Sequence, residues 1–561
     1  MTIRDLLAES VERRGDAVAI RYKADNQWHT VSYRELLSRA RAVAEMLHRL
    51  GVKKGSRVAL YSENSPEWPE IYFGIVGLGA TAVPVDAKLQ EQEVAHILLD
   101  SATCVVVSSS KNYPLLTEIE SHLRELSHVV LINGKDVLPI QNSRKVKYSD
   151  YATLLREAEA AAASDGCAYN RAAPADDDPA SFIYTSGTTG RQKGAMLTHG
   201  NFTANVASCR KAIDVLPEDN FMLVLPLHHA FAFTANLMLP IAVGSEISLV
   251  ENLKTVSENM REVSPTVLIG VPLLLEKMYN RIWNSLKANK LGYSLFRLGI
   301  RKPVIRKLAA RLGGKLRLVV TGGAPCDPDV LRGFEQLGIN VLEGYGLTET
   351  APVLTINPQA RPKPGTVGKE LPGVEIMIMD ADDAGIGEIA ARGPNLMKGY
   401  YNNPEATAEV FRDGWFLTGD LGFIDPEGYV TITGRKKSLI VNREGKNIHP
   451  EEVEYQVCKS PLIREALALG YREPDVKVGE QVGVIVVPDQ EALDAYLTRH
   501  RHKRSEKEIE DLIRSEVKKQ AAEIADYKRP RRIQIRWEEF RKTSTGKVKR
   551  YLYAMAPQDG G

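Results

Sequence analysis

Residues 184–194, YTSGTTGRQKG, pack three glycines, four aliphatic hydroxyls and two cations into eleven positions. Glycines let several backbone N–H groups approach one ligand, and the hydroxyls and cations add further donors. Such a loop suits an anion, above all the phosphates of a nucleotide. The preceding ASFIY is an apolar run of strand length that would hold one end of the loop. A Walker A loop needs four residues between its first glycine and a Gly-Lys-Ser/Thr, and neither Gly187 nor Gly190 provides them. Standing alone, the stretch reads better as a flexible surface turn, so the rest of the chain has to decide.

At 561 residues the chain exceeds one compact core, and two or more domains are expected. Its net charge of +2 points to no nucleic-acid partner. The five cysteines are scattered without a CxxC pair, which indicates neither a disulfide framework nor a zinc site. Together with an N-terminus that lacks an apolar signal-peptide core, this gives the cytoplasm as the expected compartment. Residues 221–245 contain no Asp, Glu, Lys or Arg, but Pro226 and Pro240 would break a spanning helix. The run reads as buried strand and helix, with an apolar pocket as a further use.

Helical and strand-like segments alternate from the N-terminus to about residue 433, as in YRELLSRARAVAEMLHRL followed by RVALYS. The expected fold class is therefore α/β. GLGATA (residues 77–82) fits GxGxxA on paper but follows WPEIYFGIV, which reads as helix; its glycines are expected to serve helix packing. Two basic stretches stand out. Residues 281–317 hold eleven Lys or Arg and no acid, interleaved with apolar and aromatic residues, and residues 499–550 hold 18 basic against 9 acidic residues. The first favours peripheral contact with the cytoplasmic membrane face; a solvated basic face is the plain alternative for both.

Four further motifs join the glycine loop. EGYGLTET (residues 343–350) offers Tyr345 to stack on an adenine and Glu349 for Mg²⁺. GWFLTGD ends in Asp420, suited to two ribose hydroxyls, and GRKKSLI offers Arg435. RKTSTGKVKR (residues 541–550) places Lys547 beside a glycine as a point charge. Each has a plain reading as a core tyrosine, a capping aspartate or a solvated tail. Their co-occurrence in this order does not.

On these motifs the sequence resembles, over essentially its full length, the adenylate-forming (AMP-binding) superfamily of acyl- and aryl-CoA synthetases, adenylation domains and beetle luciferases. YTSGTTGRQKG is similar to its phosphate loop and GYGLTE to its adenine and magnesium motif. DGWFLTGDLGFIDPEGYVTITGRKK (residues 413–437) is similar to the long block typical of fatty acyl-CoA synthetases, and LEGYGLTET, GGKLRLVVTGGAP and the basic stretch from Arg281 look most like the long-chain ones. The resemblance implies a large multi-layer N-terminal domain of sheets and helices (1–433) that binds AMP and the acyl group. It also implies a hinge at 434–437, turning on Lys437, and a small α+β C-terminal domain (438–561). It implies that Thr185, Ser186, Gly187, Thr188, Thr189, Gly190 and Lys193 bind the β/γ phosphates, and that Gly323, Gly344, Tyr345 and Gly346 frame the adenine. Thr348 and Glu349 would meet the α-phosphate and Mg²⁺, and Asp420 and Arg435 the ribose. Lys547 would be the catalytic lysine, with Glu349 and Thr185 as its catalytic companions, and Gly445 would line the coenzyme A tunnel. The family's proline before the last motif is replaced by Arg541, while Gly546-Lys547 is intact.

The implied reaction is ATP-dependent formation of an acyl-adenylate with release of pyrophosphate, then transfer to coenzyme A. An amino acid is disfavoured because residues 221–245 offer no acid to pair with its ammonium. LPLHHAFAFTANLMLPIAVG instead suggests an apolar wall, with His229 and Phe231 in the acyl pocket; His229 reads equally as a core histidine. A medium- to long-chain fatty acid is the expected substrate. The alternatives are an acyl carrier protein as acceptor, an aryl or short-chain acid, a luciferase-type use of the adenylate, or an inactive ATP- or lipid-binding scaffold.

Overall fold

The computed structural model describes residues 1–135, 146–186, 191–298, 302–444, 446–472, 479–499, 505–542 and 548–555. Among these, seven strands form one sheet in the order Lys147–Asp150, His128–Ile132, Val105–Ser109, Arg57–Tyr61, Thr81–Val85, Pro179–Ser186 and Gln192–Thr198. All neighbours are parallel except the last pair. A second sheet has a parallel centre of Asn340–Gly346, Leu318–Thr321, Val267–Gly270, Asn220–Leu223, Glu246–Leu249 and Val18–Ala24, flanked by antiparallel edge strands. Central strands buried on both faces need no polar alternation, and Val105, Val106 and Val107 are all buried. One continuous core joins the two sheets.

Helix Tyr33–Arg49 begins at a capping box formed by Ser32 and Glu35 and buries Tyr33, Leu36, Ala40, Val43 and Leu47. That spacing of three and four is one face of a helix. Helix Glu67–Gly77 is apolar on nearly every side and is buried accordingly. A Cβ on Gly74 would lie 2.5 Å from Val43 Cγ1, and one on Gly77 would lie 2.0 Å from Tyr169 Cε2. Gly77 of GLGATA, like Gly74 one turn before it, thus admits a neighbouring side chain, as expected of close helix packing.

Residues 221–245 are strand and helix inside the core, also as expected. Phe233, Leu237, Met238, Leu239 and Ile241 are essentially inaccessible. No helix among the described residues is long and apolar enough to cross a membrane. In the basic stretch, helices Pro272–Ala288, Lys290–Arg297 and Lys302–Ala309 turn Ile282, Leu286, Phe296, Val304 and Leu308 into a core of their own. Its apolar residues are thus largely helix faces packed on protein, and Leu298 is an exposed exception.

An antiparallel sheet built on Glu375–Met379, Gly387–Arg392, Trp415–Ile424 and Val430–Arg435 follows. Beyond it a smaller unit packs strands Ile463–Tyr471, Gln481–Pro488 and Arg532–Ile535 against helices Pro450–Val457 and Glu506–Ala521, around its own core. The architecture is the large α/β unit plus small α+β unit that the motifs implied.

Replacing Gly77 with alanine forces the Tyr169 ring to move inside a closed core. Gly77→Ala is expected to cost roughly 1–3 kcal/mol and to lower the thermal unfolding midpoint. An unchanged midpoint would contradict this packing.

Candidate active site

The glycine loop joins two antiparallel strands in which Tyr184 pairs with Gly194, Thr185 with Lys193 and Ser186 with Gln192. Gly187, Thr188, Thr189 and Gly190 lie outside the described residues. Tyr184 points away from the loop, its O–H donating to Asp100 Oδ2 at 2.6 Å. The free edge of strand Gln192–Thr198 is covered by residues 398–401, with Met196 N–H donating to Gly399 O (2.9 Å) and Tyr401 N–H to Gly194 O (2.8 Å).

That covering segment carries a residue the motifs did not reveal. Tyr400 O–H donates to Glu349 Oε1 at 2.8 Å, and Lys193 Nζ stands 5.3 Å from the centre of the Tyr400 ring. One tyrosine therefore links the lysine of the phosphate loop to the carboxylate read as a magnesium ligand. Burial, then the Glu349 carboxylate, raises the Tyr400 phenol far above its ordinary range, so it stays a donor. Glu349 itself is buried on the short turn Thr348–Thr350, and its backbone oxygen accepts from Met397 N–H at 2.8 Å. A buried carboxylate of fixed position is the donor type that suits a hard cation such as Mg²⁺. Thr348 is half-buried beside it.

Tyr345, Asp420 and Arg435 come from three strands and meet. Tyr345 O–H donates to Asp420 Oδ2 at 2.6 Å, and Arg435 Nε stands 2.7 Å from Asp420 Oδ1. Asp420 and Arg435 are direct partners on antiparallel strands, which is why residues fifteen positions apart reach each other. Burial and then Asp420 raise the Tyr345 phenol well above its usual range. Gly322 and Gly344 also approach closely, since a Cβ on Gly322 would sit 2.9 Å from Gly344 O and 3.7 Å from Phe231 Cζ. Gly323 is left-handed (φ +83°) with open space around it. Gly346 differs: a Cβ there would lie 1.8 Å from Pro352 O, so backbone packing alone requires this glycine.

His229 is half-buried at the entrance to the helical part of the apolar run, its Nε2 3.1 Å from His228 Nε2. Phe231 is also half-buried, while most of the run after it is core. Lys437 lies exposed on the turn Lys436–Ser438 directly after Arg435, and the adjacent Lys436 Nζ pairs with Glu388 Oε2 at 2.6 Å.

Lys547 and Gly445 lie outside the described residues, but the flanks of the lysine motif are defined. Lys542 and Val548 form an antiparallel bridge. Lys542 pairs with Glu465, and Arg550 with the partly buried Glu454, fastening both ends to the small unit. Lys549 Nζ reaches across to Glu93 Oε1 of the large unit at 3.3 Å. Glu93 belongs to helix Glu91–Asp100, whose His96 Nε2 contacts Gln192 O at 2.9 Å. Lys549 is therefore held to the helix that touches the start of strand Gln192–Thr198. Nothing in the sequence marks Glu93, an ordinary acid in a helix's first turn.

Comparison with known proteins agrees with this geometry. Residues 7–401 match the AMP-binding enzyme family and residues 452–547 the AMP-binding enzyme C-terminal domain. A long-chain-fatty-acid–CoA ligase, FadD15, of Mycobacterium tuberculosis is 32% identical over 86% of this chain and 82% of its own length. A long-chain-fatty-acid–CoA ligase of Escherichia coli O157:H7 is 30% identical over 97% and 93%. The structure of ATP-bound MatB from Rhodopseudomonas palustris superposes with a TM-score of 0.76 at 26% identity, over 98% of both chains. Matched in both its domains and in their order, the chain belongs to the AMP-binding enzyme family.

Proposed function

We propose that this chain is an AMP-forming fatty acid–CoA ligase. The fatty carboxylate attacks the α-phosphorus of ATP, a P–O bond forms to the acyl group, and pyrophosphate leaves. The thiol of coenzyme A then attacks the acyl carbon, and AMP departs as the C–S bond forms. Two anions must meet in the first step, so charge building on the phosphoryl oxygens has to be neutralised.

The residues divide that work. Thr185, Ser186, the glycine loop and Lys193 hold the β/γ phosphates, and Tyr400 keeps Lys193 and Glu349 on one framework. Tyr345, Gly323 and Gly344 receive the adenine, and Asp420, aligned by Arg435, receives the ribose. Thr348 meets the α-phosphate. Glu349 would hold Mg²⁺ against the triphosphate, where the ion adds positive charge. Lys547 supplies the mobile positive charge at the α-phosphate.

The observation that carries the reading is the Lys549–Glu93 contact. It ties Lys549, two residues after Lys547, to the helix whose His96 contacts Gln192, which supports a reading in which Lys547 serves adenylate formation. Coenzyme A needs that space afterwards, so the small unit would turn about residues 434–437 and bring Gly445 to the thiol's route. A fatty acid is favoured over an amino acid by the acid-free run behind His229 and Phe231 and by the names of the relatives. An acyl carrier protein remains the alternative acceptor. Contact with anionic lipid through residues 281–317 would be mainly electrostatic, since Ile282, Leu286, Phe296, Val304 and Leu308 face inward.

With ATP and Mg²⁺, pyrophosphate release should depend on added fatty acid, and acyl-CoA should appear only with coenzyme A. Lys547→Ala should slow the first step on the order of 10²–10³-fold. A thioester formed at the wild-type rate by that variant would overturn the assignment. Asp420→Ala should raise the KM for ATP roughly 10- to 100-fold, because it removes charged hydrogen bonds; an unchanged KM would remove Asp420 from the ribose site. In Glu93→Gln, adenylate formation should slow while thioester formation from supplied acyl-adenylate keeps its rate. Equal loss in both half-reactions would mean that Glu93 does not position the motif.

A further inference from the structure

We propose that Asp86, His228 and His229 form a site for one transition-metal cation of the zinc class. Asp86 follows strand Thr81–Val85 of one large sheet, and the two histidines follow strand Asn220–Leu223 of the other. Asn64 pins the histidine loop by donating to Leu225 O (2.9 Å) and accepting from Leu227 N–H (2.8 Å). The three side chains are thus brought together by the packing of the sheets and held there by backbone contacts.

The distances fit coordination. His228 Nε2 stands 3.1 Å from His229 Nε2 and 3.5 Å from Asp86 Oδ2, and one ligand atom from each residue lies within 4.8 Å of the others. Zinc bonds of about 2.0–2.2 Å at tetrahedral angles put neighbouring ligand atoms about 3.3 Å apart. A neutral imidazole nitrogen is either donor or acceptor, and His228 Nε2 faces both a second imidazole nitrogen and a carboxylate oxygen. A cation between them would take a lone pair from each.

The surroundings are those of a ligand shell. Asp86 and His228 are each only 8% exposed. Asp86 Oδ1 accepts from Lys88 N–H at 2.9 Å, which turns Oδ2 toward His228. Two imidazoles and one carboxylate favour Zn²⁺, Co²⁺ or Ni²⁺ over Mg²⁺, so the site is chemically separate from Glu349. Three protein ligands leave a fourth position for water or a substrate carboxylate. Metal binding stands without the ligase reading; only its effect on activity rests on that reading, because occupancy would fix His229 at the acyl pocket.

The test titrates Co²⁺ into chelator-treated full-length protein without ATP. One equivalent should develop the visible absorption of low-symmetry Co²⁺, and Zn²⁺ should abolish it. Asp86→Asn and His228→Gln should each weaken binding by at least about 10- to 100-fold with an unchanged thermal midpoint, and Glu349→Gln should leave it intact. Absence of the band, or equal binding by the Asp86→Asn/His228→Gln double variant, would overturn the site and leave a hydrogen-bonded cluster. If the single variants unfold, the wild-type band and its stoichiometry still decide. Separately, Zn²⁺ should inhibit adenylate formation by the wild type and not by His228→Gln. Binding without inhibition would keep the metal site and remove only its link to His229.

Discussion

Everything at the candidate site depends on where the parallel strands end. Two large sheets share one core, and the loops after strands Arg57–Tyr61, Thr81–Val85, Pro179–Ser186, Asn220–Leu223 and Leu318–Thr321 leave from carboxyl ends. Ligands in open parallel sheets bind outside those ends, where loops are released from ladder pairing while their roots stay rigid. The contacts from Asn64 to Leu225 and Leu227 show two such loops, one from each sheet, fastened to each other. The strands flanking the glycine loop, strand Asn340–Gly346 and His229 can then converge although they are dispersed between residues 184 and 346.

Charge organises the convergence. Lys193, Tyr400 and Glu349 form one chain, and Tyr345, Asp420 and Arg435 another. In each, a tyrosine donates to a buried carboxylate and a partly exposed cation stands nearby, so the carboxylates keep polar partners away from bulk solvent. The lysine motif adds positive charge from a separate unit, held there by an ion pair between half-exposed groups. Such a pair contributes about 1 kcal/mol or less. Weakness suits a contact that the proposed turn of the small unit would break, whereas Arg550 against the partly buried Glu454 ties the end of the motif to its own unit.

The α/β layering and the motif order were legible because glycines, charged residues and apolar periodicity act over a few positions. The pairing of Asp420 with Arg435 was less so, since it follows from strand register. Tyr400 was invisible: it matters only because residues 398–401 cover the edge of strand Gln192–Thr198. Glu93 and the Asp86–His228 contact were missed for the same reason, as both join segments far apart in the chain. Local reading did not show that the backbone at Pro352 O by itself requires a glycine at 346, and it left open the basic stretch, whose described apolar residues largely face a core.

The most direct measurement is to lock the lysine motif where it stands. A reducible bis-methanethiosulfonate cross-link between Glu93→Cys and Lys549→Cys, long enough to span the Lys549–Glu93 contact, formed and then reduced in the same sample, should leave fatty acyl-adenylate formation intact while blocking transfer to coenzyme A. Reduction should restore the transfer. A locked protein that makes acyl-CoA at the reduced rate, or one that loses adenylate formation, would contradict the assignment of this arrangement to the first half-reaction.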